Sequence, residues 1–433
     1  MGAQEPNLAG VATAEPAGIA NRRLAAIFRS FRHRDFALFW AGNFLSNVGT
    51  WMQNLALGWL VLMITNSPFL LGLNAFLSAA PSLVFSLPGG AIADRLNRRK
   101  LMIVTQTSMM LLALILAILT SFRLVTIAEI LLISLLAGLA SALNNPAYQA
   151  LVPDLVERND LVNAIALNSA QFNMSRAIGP TLAGLALGSL GAAGCFYLNS
   201  ASFLALIVAL LVITVPSHPV QKGPTVWGAM VDGLRFVAQQ RRLIVLLSVP
   251  AFMSLLGLPF VVLMPVYARD LLKVGASGLG YLMAGAGVGA VISALTLAAQ
   301  ANIQRRRNFI LCCASVFSLA LILLAQARSF AWAFFFLVIM GATMVGALAL
   351  TNTSLQMASP PELRGRVMSM YNLALLGVAP LGNLQAGAVA EALGTRFALM
   401  LGGSICLVYF LALLALLPRL RRAGTWPRPT PAQ

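Results

Sequence analysis

Charge is what this chain has least of. Only 9% of its 433 residues are Asp, Glu, Lys or Arg, and just 12 of them are acidic. A soluble domain carries about 25% charged residues, so a soluble fold of this length would lack the polar groups to cover its surface. Histidine is also scarce. His33 and His218 lie in polar loops, and Cys195, Cys312, Cys313 and Cys406 sit in or beside apolar stretches, with no metal-ligand spacing among them. The cysteines read as small apolar packing residues. There is no Gly-x-x-x-x-Gly-Lys-Ser/Thr loop, which argues against direct ATP drive. No cluster of His, Asp or Glu falls within the apolar stretches, so the chain is not expected to be an enzyme or to carry a cofactor. Segments of about ten residues with alternating polarity, the mark of a membrane β-barrel, are missing. So is a cleavable leader: residues 1–20 form an Ala/Pro/Gly-rich polar tail, and the apolar segment that follows is too long for a signal peptide.

What fills the chain instead is apolar sequence, 59% of all residues. Crossing the hydrocarbon core takes roughly 20 apolar residues in a helix. Such stretches predict helices over 36–64, 69–92, 101–121, 125–147, 163–190 and 194–215, then over 244–268, 277–300, 308–326, 331–353, 367–392 and 396–417. Helix is the state that satisfies backbone groups within a segment surrounded by lipid. The expected class is an all-α membrane protein with twelve transmembrane helices.

A net charge of +17 raises the question of nucleic acid, and the placement of the charges answers it. With both termini placed in the cytoplasm, 23 of the 29 Lys and Arg residues fall in loops on one side; Arg123, Arg269, Lys273, Arg328 and Arg396 fall outside, and Arg176 lies within a helix. That asymmetry orients a membrane protein and anchors it to anionic lipid, so the expected partners are lipid and a small molecule rather than nucleic acid.

The longest polar interruption, 216–243, divides six helices from six, and its stretch Val226–Gln240 has an amphipathic helical pattern. The expected organisation is a cytoplasmic tail over 1–34, six-helix bundles over 35–215 and 244–418, the linker between them, and a second tail over 419–433. Arg98-Arg99-Lys100 and Arg305-Arg306-Arg307 stand 207 positions apart, and so do Gln149/Pro153 and Gln356/Pro360. A duplicated six-helix unit follows, with its substrate site between the halves near the bilayer midplane.

The loop after the second helix reads Gly89-Gly90-Ala91-Ile92-Ala93-Asp94-Arg95-Leu96-Asn97-Arg98-Arg99-Lys100. It resembles the signature loop of the major facilitator superfamily, Gly-x-x-x-Asp-Arg-x-Gly-Arg-Arg/Lys. Asn97 stands at the last Gly, where Asn tolerates left-handed backbone better than most residues. The stretches Asn145–Pro153, Asn168 to Pro180 and Leu363–Ser369 resemble the bacterial branch that includes enterobactin and macrolide exporters. Gly179-Pro180 with Gly184 partly resembles a helix-5 motif of antiporters, whose downstream double Gly is Ala183-Gly184 here. The resemblance implies a monomeric secondary exporter in a bacterial inner membrane, moving small drug-like or siderophore-like molecules by alternating access. A facilitator or uptake carrier and a lipid flippase or scramblase are the alternatives.

The resemblance also implies a gating role for Gly90, Asp94, Arg95, Arg98 and Arg99, with Asp94 clasping the halves at the start of helix 11 near Arg364 and Arg366. The alternative is a surface ion pair worth under about 1 kcal/mol. Arg176, alone in mid-span, either binds an anionic or carbonyl-rich substrate or ties neighbouring helices together. Asn43, Asn47 and Asn54 stripe helix 1, Asn173 shares a face with Arg176, Asn145 ends a polar stripe on helix 4, and Asn372 and Asn383 share a face of helix 11. Such stripes line cavities or glue helices; helices 1 and 4 face the cavity in the resembled fold. A proton gradient is the expected driving force. Its candidate carriers are Glu129, Asp35 and Asp94. Gly285, Gly287 and Gly289 read as close helix packing.

Overall fold

The computed structural model describes residues 28–95, 97–214, 235–299 and 306–422. These residues form helices and no strands. The first half comprises α1 (Arg34–Thr65), α2 (Pro68–Arg95), α3 (Arg98–Ser121), α4 (Ile127–Leu151) and the element Leu161–Val212. At 52 residues, that last element is long enough for two passes. It breaks at Gly191, whose φ of 69° and ψ of −175° suit no residue with a side chain. We call 161–190 α5 and 192–212 α6. In the second half are α7 (Arg241–Leu271), α8 (Gly275–Ala299), α9 (Arg306–Gln326), α10 (Phe330–Ala358), α11 (Pro361–Leu393) and α12 (Thr395–Arg422).

Ten of the described elements are long and apolar enough to cross a membrane, α5 and α6 counting as one of them, and α2 adds a shorter apolar run. The fold therefore accords with the twelve crossings expected. The duplication is visible in the element starts: α1 and α7 begin 207 residues apart, as do α2 and α8. We call the face carrying Arg98, Arg241 and Arg306 the basic face, and the other the opposite face.

Two expectations change at the basic face. Part of the predicted tail is folded onto the first half. Arg29–Arg32 form a 3-10 turn, and the Ser30 hydroxyl donates to Asn163 Oδ1 at 2.7 Å. Arg29 and His33 both reach the buried Asp160. Asn97 does not adopt left-handed backbone. At φ −65° and ψ 112° it caps α3, its side-chain oxygen accepting the Lys100 N–H at 3.1 Å. Asn suits a helix N-cap for that reason. The amphipathic segment Val226–Gln240 lies outside the described residues up to 234, with 235–238 helical.

α7 and α11 are not continuous α-helices. π turns interrupt them at Met253–Gly257, Tyr267–Leu271 and Leu373–Gly377. Such turns often mark functional sites inside helices. The Ser254 hydroxyl donates to the Leu375 carbonyl, joining the two interrupted helices.

Candidate functional site

On α1 the polar stripe divides between two tasks. Asn43 is buried and donates to Gln171 Oε1 at 2.9 Å and to the Tyr148 hydroxyl at 3.2 Å, binding α1 to α4 and α5. Thr50 donates back to the Ser46 carbonyl of its own helix. One turn of helix beyond Thr50, Asn54 opens onto a cavity.

On α5, Arg176 and Asn173 face the same cavity, with Pro180 one turn on. Proline has no N–H, so the Arg176 carbonyl loses its helical donor at the depth of the guanidinium. Gly179 lets α5 close on α1 at Val48 and Trp51, and Trp51 meets Phe172 edge-on at 6.1 Å.

The cavity measures about 470 Å³ and draws its walls from both halves. The first half gives α1, α2 and α5. The second gives α7, α8, α10 and α11, including Phe260, Met283, Met344 and Asn383. Of the described residues in its walls, Arg176 alone is charged. The walls are otherwise apolar apart from Asn54, Asn74, Ser78, Asn173 and Asn383.

Arg176, Asn54, Asn173 and Asn383 thus come together as the sequence suggested. Asn43, Asn47, Asn145 and Asn372 are not in these walls. No residue of α4 is in the walls of this cavity. Ser134 donates to Asn74 Oδ1 at 2.7 Å, and Gly138 lies against the Ser78 backbone, so this part of the α4 stripe packs on α2, whereas Asn145 is exposed. Asn74 and Ser78 went unnoticed although the sequence carries the signal: they stand one helical turn apart, and Ser82 and Ser86 continue the same i, i+4 series along helix 2.

The signature-loop residues separate. The side chains of Gly90, Asp94 and Arg95 lie outside the described residues. Arg98 pairs with Asp154 at 2.9 Å and with the Ala150 carbonyl. Arg99 donates to the Leu210 and Leu211 carbonyls at 2.5 and 2.6 Å. Both arginines therefore serve the first half, satisfying carbonyls that a helix C-terminus leaves open. Arg364 is exposed and Arg366 half-buried at the start of α11.

The expected proton carriers sit at helix ends. Glu129 closes a capping box at the start of α4, accepting from the Thr126 N–H at 2.7 Å. Asp35 accepts the Thr214 N–H at 3.2 Å. Gly285 and Gly289 pack α8 on α10, whereas Gly287 lines the cavity.

At the opposite face, hydrogen bonds cross between the halves. Glu391 of α11 accepts from Ser67 Oγ at 2.9 Å and from the Phe69 N–H at 3.1 Å, at the start of α2. Arg269 of α7 donates to Asn66 Oδ1 at 2.6 Å and to the Leu62 carbonyl at the end of α1. Nearby the helices touch backbone to backbone, Gly72 against Gly387 and Gly184 against Gly280. The halves are therefore apposed on the far side of the cavity from the basic loops.

Comparison with known proteins agrees with this architecture. Residues 25–428 match the family model described as a transmembrane secretion effector. The chain is similar to the staphyloferrin A transporter of Staphylococcus aureus, 25% identical, with 85% of this chain and 93% of that protein covered. It is 26% identical to the multidrug efflux pump Tap of Mycolicibacterium fortuitum, covering 89% of this chain and 96% of the pump. In fold it resembles a bacterial homologue of the human lysosomal transporter Spinster, solved inward-facing and unoccupied. The TM-score is 0.73 at 15% identity, covering 92% of this chain and 99% of that one.

Proposed function

Because the chain belongs to the transmembrane secretion effector family of the major facilitator superfamily, we propose that it is a secondary-active exporter of small amphipathic molecules, working by alternating access. The observation that carries this reading is a largely apolar cavity shared by two six-helix halves and closed at one face only by contacts that a rocking motion can break. The positive-inside asymmetry assigns the basic face to the cytoplasm. On that assignment both termini are cytoplasmic, the closed face is outer, and substrate enters from the cell interior. Relatives named for siderophore transport and multidrug efflux make siderophore-like or drug-like cargo the class to try first.

Opening to the outside requires the Glu391 and Arg269 contacts to part. At the cytoplasmic face the counterpart device in this reading is Asp94, set opposite the α11 start with Arg364 and Arg366. A ligand or ion shifts such an equilibrium only by its differential affinity for the two states.

A proton gradient is the driving force in this reading. Glu129, Asp35 and Asp94 are its candidate carriers, and of these Glu129 and Asp35 lie at helix ends rather than in the cavity. The test is transport of a fluorescent amphiphile by the purified full chain in liposomes. Accumulation against the dye gradient under an imposed pH gradient, abolished by a protonophore, is the expected result. No movement under any gradient overturns the export reading. Coupling undiminished in Asp35→Asn/Asp94→Asn/Glu129→Gln rejects those three carboxylates while leaving export standing.

A further inference from the structure

Arg176 is a charge without a partner. Among the described residues, none is hydrogen-bonded or ion-paired to its guanidinium, although the group offers five donors. An arginine in mid-membrane is costly, so a cation left there with nothing to hold calls for a role. The helix-tying role is not observed: among the described residues, no carbonyl or amide of a neighbouring helix accepts from it. The titratable group within its electrostatic reach is the Tyr371 phenol, which donates to the Leu348 carbonyl and supplies no countercharge. No carboxylate stands among the described residues of the cavity walls.

The amides around it are also under-used. Asn54 and Asn383, one from each half, make no side-chain hydrogen bond among the described residues. Asn173 uses only its NH2 group, on the Ser169 carbonyl of its own helix, which leaves its oxygen free. Asn74 accepts from Ser134, which leaves its NH2 group free. The remaining walls, among them Leu55, Leu71, Phe260, Val262 and Met283, are apolar.

We infer that the cavity takes an organic carboxylate: one planar anionic head seated on Arg176, carbonyl or hydroxyl groups within reach of the amides, and an apolar body against the second half. A single fixed cation neutralises a single negative charge, and the guanidinium fork matches a carboxylate with two parallel hydrogen bonds. Positively charged amphiphiles are excluded by the same charge. The inference rests on the export reading only in taking this cavity as the substrate's.

The test is equilibrium binding to the purified full chain in an uncharged detergent, by titration calorimetry. Its probes share one ring system: 2-naphthoate, neutral 2-naphthamide and cationic 2-naphthylmethylammonium. Naphthoate is expected to bind at least about tenfold more tightly than either of the others, a difference of roughly 1.4 kcal/mol. Arg176→Gln should weaken naphthoate by a similar factor and leave naphthamide unchanged. Arg176→Lys keeps the charge, loses the fork and should recover part of the preference. It is also the second variant should Arg176→Gln fail to elute as a single folded species. Equal affinity for all three probes, or naphthoate binding unchanged without the guanidinium, overturns the proposal. The measurement uses no gradient and no sidedness. It therefore succeeds or fails independently of the liposome experiment that tests export.

Discussion

Glu391, near the end of α11, caps the start of α2 across the boundary between the halves: its Oε2 takes both the Ser67 hydroxyl at 2.9 Å and the Phe69 N–H at 3.1 Å. A carboxylate at a helix N-terminus meets unpaired N–H groups and the positive end of the helix dipole. What is unusual is that the helix it caps belongs to the other half. In the alternating-access reading the cap is made in one conformer and broken in the other, and its energy enters that equilibrium directly. The contact is exposed, so about 1 kcal/mol is a reasonable scale, which is about a fivefold change in population. Glu391→Ala should shift the protein toward the conformer open at the opposite face. The check is the distance between spin labels on the outer ends of α2 and α11. A distribution identical to that of the parent would deny the cap any part in the equilibrium.

In the same reading, the backbone contact of Gly184 with Gly280 acts on that equilibrium by steric means. A Cβ on either glycine would overlap the other's Cα, and here the obstacle is backbone that no side-chain rearrangement can move. Gly184→Val should therefore hold α5 and α8 apart and populate the conformer open at the opposite face. A cysteine placed on the cavity wall of such a variant should react with an impermeant reagent from that side several-fold faster than in the parent. Unchanged reactivity would mean that the two helices slide rather than separate.

Gly191 has nothing within 4 Å of where a Cβ would sit. Its constraint is purely conformational, because a φ of 69° with ψ near 180° is open to glycine and strained for other residues. Gly191→Ala should destabilise the first half by about 1–3 kcal/mol, read as a lowered apparent Tm. Ligand affinity at the cavity should stay the same. A Tm equal to that of the parent would show that the α5–α6 break tolerates ordinary backbone.

Sequence alone made the helices and the duplication legible, because length and hydropathy in lipid leave few alternatives to helix and because the 207-residue offset survives in paired basic loops. The charge asymmetry was legible for the same reason. The site was only half legible. Arg176 stood out because a charge in mid-span is costly wherever it points. The asparagine stripes gave direction on a helix but not the neighbour that the stripe meets, so Asn145 was placed on the cavity and Asn74 was overlooked. The π turns in α7 and α11 leave no mark in composition, since they depend on how the two helices pack. The contacts of Glu391 and Arg269 link residues over 200 positions apart in sequence, beyond any local pattern.

Asn43 and Asn54 allow this distinction to be measured, since they occupy one stripe of one helix and were read together. Asn43 is buried and holds Gln171, itself wholly buried, together with the Tyr148 hydroxyl. Removing its amide strands the Gln171 oxygen in an apolar setting, and a stranded buried polar group costs about 1–3 kcal/mol. Asn54 has no such partner and opens onto the cavity. Asn43→Ala should therefore lower the Tm clearly while the folded fraction binds ligand as the parent does. Asn54→Ala should leave the Tm nearly unchanged, within about 0.5 kcal/mol of the parent, and weaken the binding of ligands that carry a carbonyl or hydroxyl beside the head group. Thermal unfolding and calorimetric binding on the same two preparations give all four values. Were the two variants to behave alike, either both losing stability or both losing affinity, the division of this stripe between packing and cavity would be wrong.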